Sequence, residues 1–132
     1  MKNKLSYSLK NVELAFKQLK LYVEEPIVND RDRSGIIKAF EFTFELLWKT
    51  FQKIAKDEGL EAAGPKSSLK AAYKMDLIKN EEEVLWIQML EDRNLMVHTY
   101  HEYLSREIVH RIQQSYLPAI MLMLTRLHQL KL

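Results

Sequence analysis

Leu5, Leu9, Val12, Phe16, Leu19 and Val23 recur at alternating steps of four and three residues. The same rhythm returns in Ile37, Phe40, Phe44, Leu47, Phe51 and Ile54. Leu104, Ile108, Ile112, Tyr116, Ala119, Met123, Leu127 and Leu130 also recur at steps of four and three, though without strict alternation. Only a helix gathers such positions on one side, because its 3.6-residue turn brings every third or fourth residue back to the same face. No segment alternates with the two-residue period of a strand. Three glycines and three prolines in 132 residues are too few for the many tight turns of a sandwich or barrel. The sequence predicts an all-α protein.

The breakers set the boundaries. Glu25-Pro26 ends the first helix, since the residue before a proline avoids the helical region. Asn29 to Asp32 can cap a second helix of about Asp32 to Glu58, with Gly59 just past its end. Glu61 to Lys66 reads as a loop. Ser67 or Ser68 can cap a short helix to about Leu77. Asn80 opens another, with Glu83 three residues on as in a capping box, and Glu81 to Glu83 complements the helix dipole. Thr99 and Glu102 form a second such pair, which sets a boundary near His98 to Tyr100. Pro118 should kink or break the last helix. The sum is an antiparallel up-down four-helix bundle with one short extra helix, a single domain over residues 1–132.

Composition narrows the function classes. With no cysteine, disulfides, thiolate nucleophiles and Cys-ligated zinc are excluded. Twenty basic against 18 acidic residues, a net charge of +2, give none of the basic field of a dedicated DNA-binding domain. The N-terminus lacks a signal-peptide pattern. The longest apolar stretch, Leu117 to Leu124, is far short of the ~20 residues of a membrane span. A cytoplasmic protein with no membrane or DNA partner is the expectation. The six methionines stand mainly at core spacing and read as filler.

Two features ask for a partner. In the second helix, Phe42 and Leu46 point roughly 200–240° away from Phe40. That second apolar line is covered either by the bundle itself or by another chain. In the fourth helix, Arg93 sits within an apolar arc, between Leu85, Met89 and Met96 on one side and Trp86, Leu90 and Val97 on the other. A guanidinium placed there needs a carboxylate, a phosphate ligand or an opening to water. Glu41 and Glu45, flanking the core stripe of the second helix, are candidate carboxylates.

His98 follows Arg93 by five residues, about 140° around an ideal helix. If the helix ends near His98, the imidazole can turn toward Arg93. If it continues, Tyr100 returns to the arginine's face instead. An Arg and a His in one cleft suit metal-independent phosphodiester cleavage, with His as acid–base and Arg stabilising phosphate charge. The competing reading is a structural salt bridge plus a junction histidine. His98, His101 and Glu102 do not have the two-turn spacing of metal ligands, so no metal is expected. His110 and His128 read as surface histidines.

The segment Phe40-Glu41-Phe42-Thr43-Phe44-Glu45-Leu46-Leu47-Trp48-Lys49, followed by Leu90-Glu91-Asp92-Arg93-Asn94 and His98-Thr99-Tyr100, resembles the nucleotidyltransferase substrate-binding protein family of the HEPN superfamily. The likeness runs through nearly the whole chain. It implies a helical homodimer that complexes with a minimal nucleotidyltransferase subunit, in which ATP or another NTP with Mg is expected. It further implies a toxin–antitoxin type of pair, in which Arg-x4-His-x-Tyr is a ribonuclease site acting on RNA and is silenced by adenylylation. By position, Arg93 would bind phosphate, His98 would be the acid–base, Tyr100 the modification target and Asn94 its polar neighbour. Three readings follow: a binding subunit, a ribonuclease, or a dimerisation module whose Arg93 is neutralised internally with no cleft around it.

Overall fold

The computed structural model describes residues 2–98 and 101–130, apart from the side chains of residues 2, 3 and 98. Helices α1 (Lys2–Glu24), α2 (Asp30–Asp57), α3 (Pro65–Lys74), α4 (Glu83–His98), α5 (Glu102–Arg111) and α6 (Leu117–His128) follow in order. A 3-10 turn, Asn80–Glu82, leads into α4, and a π turn, Ile112–Tyr116, joins α5 to α6. The described residues contain no strand. The four long rods are α1, α2, α4 and the α5–α6 pair, and α3 is the short extra helix.

The apolar stripes become the core as their period requires. Val12, Leu19, Phe44, Leu47, Phe51, Ile108, Ile112 and Met123 are buried. Helix α2 is the central rod, packed against α1, α3, α4 and α5, while α1 also meets α6. Aromatic rings link α2 to its neighbours. Phe40 stacks on Tyr116 at 5.3 Å between centroids, and Phe51 meets Trp86 edge-on at 5.8 Å. Such pairs add to the area they bury.

The ends of the helices show where sequence signals shifted by a residue or two. Asn29 caps α2, its side chain accepting from Asp32 N–H at 3.1 Å, while the Asp32 carboxylate takes the Asn29 N–H at 3.2 Å. Gly59 has φ +76°, as a residue just past a helix end requires. Helix α3 starts at Pro65, and neither Ser67 nor Ser68 is its cap. Gly64 is the cap, and its N–H donates to the Ser67 hydroxyl at 3.0 Å. The helix stops at Lys74, short of Leu77. The α4 box is displaced by one residue: the Lys79 N–H donates to Glu82 at 2.9 Å, and Asn80 instead accepts from the Tyr73 hydroxyl at 2.7 Å. Helix α5 is capped by His101, whose Nδ1 accepts from Leu104 N–H at 3.2 Å. Thr99 lies outside the described residues.

Pro118 acts upstream of itself. Its ring would collide with the carbonyl four residues back, Gln114, and it has no N–H to donate. The π turn over Ile112–Tyr116 widens the spiral at that point, so the rod continues to His128.

Two local features give measurable consequences. The Ser68 hydroxyl is buried and finds no hydrogen-bond partner among the described residues. Replacing Ser68 by alanine removes an unsatisfied polar group and improves helix propensity. The expected change in thermal unfolding is between zero and about 1 kcal/mol of stabilisation.

Arg126 on α6 grips Glu82 through two bonds, 2.5 and 2.8 Å, and donates to the Leu77 carbonyl at 2.8 Å. The Arg126 hydrogen bonds hold the Glu82 carboxyl below its ordinary 4.5, against the upward push of burial. That stabilisation is complete above pH 4.5 and is lost as pH falls through the lower folded value. Glu82→Gln should therefore cost about 1–2 kcal/mol at pH 7 and flatten the acid limb of the stability–pH curve.

Candidate functional site

Arg93 stands in the second half of α4 with its side chain 23% exposed. Its Nη2 donates to Glu45 Oε2 of α2 at 2.7 Å, and its Nη1 donates to Asn94 Oδ1 at 2.8 Å. These bonds account for two of the five N–H donors of a guanidinium. Glu45 is itself held by the Trp48 indole N–H at 3.0 Å and by Lys49 at 3.6 Å. Burial pushes the Glu45 carboxyl up, but Trp48, Arg93 and Lys49 together outweigh it and leave the group below 4.5. The pair is thus charged at neutral pH, and a ligand oxyanion at Arg93 would compete with Glu45.

The two candidate carboxylates separate. Glu45 is the bonded partner. Glu41, one turn earlier, makes no ion pair with Arg93, and burial pushes its carboxyl above 4.5 against the pull of Lys38 and Arg93. The described part of helix α4 reaches His98. The His98 side chain and the whole of Tyr100 lie outside the described residues. The structure therefore brings together Arg93, Asn94 and Glu45, with Glu41 on the same side of α2.

The next residue at each turn of α2 points about 100° further round. There Phe42 is 60% exposed and Leu46 is partly covered. With Leu14, itself 60% exposed, and Ala15 of α1 they line a shallow apolar groove. The bundle surrounds α2 on its core side but leaves this line uncovered within the chain.

Asp92 lies inside the Leu90–Asn94 motif, but the sequence reading gives it no role of its own. Leu85, Met89, Asp92 and Met96 are spaced as one stripe, and Asp92 occupies the place of an apolar residue. It is 5% exposed. Arg111 clasps it with two bonds, Nε to Oδ2 at 2.8 Å and Nη2 to Oδ1 at 2.9 Å, and the Tyr116 hydroxyl also donates to Oδ2. Arg111 and Tyr116 are five residues apart, which would set them about 140° apart on a regular α-helix. The π turn between them brings both onto one carboxylate. The Asp92 bonds push Arg111 further above the ordinary arginine value, and burial pushes the Tyr116 phenol up. This knot fixes the α4 turn that carries Arg93. The signal was present in the stripe itself: an acid at a core position must have a buried cation.

Among the described residues no group of three His, Asp or Glu side chains is placed to hold a metal, and no helix is long and apolar enough to cross a membrane.

Comparison with known proteins bears on the family and the fold. The family described as nucleotidyltransferase substrate binding protein like matches residues 7–129. A crystal structure of a protein from Thermus thermophilus superposes with a TM-score of 0.80 at 36% identity, covering 89% of this chain and 99% of that one. No curated protein matches the sequence.

Proposed function

Because the chain belongs to the nucleotidyltransferase substrate binding protein-like family, we propose that it is the helical substrate-binding subunit of a two-component minimal nucleotidyltransferase. Two copies pair through the Leu14, Phe42 and Leu46 face, and the catalytic subunit, which holds the NTP and Mg, docks beside the Arg93 end of α4. The observation that carries this reading is the half-open Arg93–Glu45–Asn94 cluster immediately adjoining an uncovered apolar line on α2. Phe42 and Leu46 follow Glu41 and Glu45 by one residue each, so a copy seated on them would bring the cluster to the rim of a two-fold cleft. The dimerisation-module reading accounts for the Arg93–Glu45 bond but not for the cleft that Asn94 also lines.

The test is co-expression with a minimal nucleotidyltransferase from the same genome, followed by size-exclusion chromatography with light scattering. Co-elution at micromolar concentration, with two helical subunits per particle, is the expected result. Separate elution of the two proteins would overturn the reading.

A second reading, the ribonuclease toxin, draws on one observation: Arg93, though paired with Glu45, keeps 23% of its side chain exposed to solvent, five residues before His98. Expression without the partner should then arrest growth, and His98→Ala should relieve it. Toxicity unchanged by that substitution removes the catalytic assignment, and with it Tyr100 as the silencing target.

A further inference from the structure

A cleft of about 260 Å³ opens between α3 and α4, away from the apolar line of α2. Its floor is apolar, formed by Leu69, Ile78, Trp86 and Leu90, all buried. Its rims are charged and of opposite sign. Lys66 and Lys70, one turn apart, stand on the α3 side, and Glu83 and Glu91, two turns apart, stand on the α4 side. No ion pair within 4.0 Å joins these four to each other or to another described residue.

The volume lies just below the ~300–1,000 Å³ of small-molecule sites, and a mostly apolar lining with a few polar groups is their usual character. We infer that this cleft binds a small bipolar molecule, with an anionic group at Lys66 and Lys70, an amine at Glu83 or Glu91, and a ring or short aliphatic body over Trp86. The room is that of about one ring with two substituents. A lone anion or a lone amine would satisfy one rim only.

Asn94 ties this cleft to the cluster described above. It lines the cleft and accepts the Arg93 Nη1 hydrogen bond at 2.8 Å. A molecule seated here therefore reaches the arginine's neighbour directly. Resting on the reading of the chain as a substrate-binding subunit, the cleft holds the acceptor substrate, and the class of that substrate is a small amine-bearing acid.

The isolated chain tests it by ¹H–¹⁵N correlation NMR with 4-(aminomethyl)benzoate as the probe, and benzoate, benzylamine and benzyl alcohol as controls. Saturable shifts at the Trp86 indole N–H and the α3 and α4 amides are expected, with affinity for the bipolar probe at least fivefold above each control. Lys70→Glu should weaken the bipolar probe and benzoate but not benzylamine, and the double change Glu83→Lys with Glu91→Lys should weaken the bipolar probe and benzylamine but not benzoate. Equal shifts with all four compounds, or none that saturate, would overturn the inference. So would shifts seen only when the nucleotidyltransferase is added, because the cleft would then be a seat for that protein. Failure here with co-elution intact refutes the cleft alone. Probe binding without co-elution refutes the subunit reading and leaves the cleft.

Discussion

Replacing Asp92 by alanine is expected to lower the stability of the fold by about 2–4 kcal/mol. Breaking a buried ion pair by removing one partner costs ~3–5 kcal/mol, because the other is left desolvated and uncompensated. Arg111 keeps 28% of its side chain exposed, so water recovers part of that loss. The Tyr116 hydroxyl, fully buried, loses its acceptor as well. For a domain of this size the melting temperature should fall on the order of 10 °C. Asp92→Asn keeps an acceptor for the hydroxyl and removes the charge, so it should fall between wild type and alanine. Chemical denaturation of the three proteins measures the order directly. A loss under about 1 kcal/mol for alanine would mean that the knot does not hold α4 in place.

Replacing Phe42 by glutamate is expected to convert a dimer to a monomer without unfolding it. Phe42 is 60% exposed in the single chain, so the change costs the monomer little. At the centre of an interface a buried aromatic carries ~2–4 kcal/mol, and a buried unpaired carboxylate adds to that loss. The dimer should weaken by roughly 100-fold or more. Sedimentation equilibrium of wild type, Phe42→Glu and Leu14→Glu reads the effect. The two substitutions lie on different helices but line one groove, so both should act. Wild-type protein that stays monomeric at about 100 μM, where a dimer of ordinary affinity is formed, contradicts this use of the α1–α2 face.

Much of the fold was legible because burial follows period. The stripes of α1, α2 and the α5–α6 rod became the core in their order, since one helical face is all a bundle can hide. Caps were less legible. Ser67, Asn80 and Thr99 all have capping chemistry, yet Gly64, Lys79 and His101 stand at the cap positions. The choice among neighbouring polar residues depends on where the next helix packs, which no local pattern carries. Pro118 announced an irregularity, but the widened turn lies before it, where the clashing carbonyl is.

The site was legible in part for the same reason. Arg93 stands out as a charge among apolar neighbours, and that logic leads to Glu41 and Glu45, of which only Glu45 is bonded to it. The same logic applies to Asp92, but its partners are not to be found on a wheel drawn at 100° per residue. They sit 19 and 24 residues away and converge only through a π turn. The α3–α4 cleft was equally hidden. Lys66 reads as the end of a loop and Glu83 as a first-turn charge, and no local pattern sets them with Lys70 and Glu91 around one cleft.

The central claim is that the Arg93 end of α4 is where a nucleotidyltransferase subunit is received. Isothermal titration of the purified nucleotidyltransferase into this chain tests it most directly, run in parallel on wild type and on Arg93→Glu. The account predicts saturable binding of micromolar affinity or tighter to wild type, and at least tenfold weaker binding to the variant at unchanged folding. Binding of equal strength to both proteins, or no binding to wild type, would contradict it.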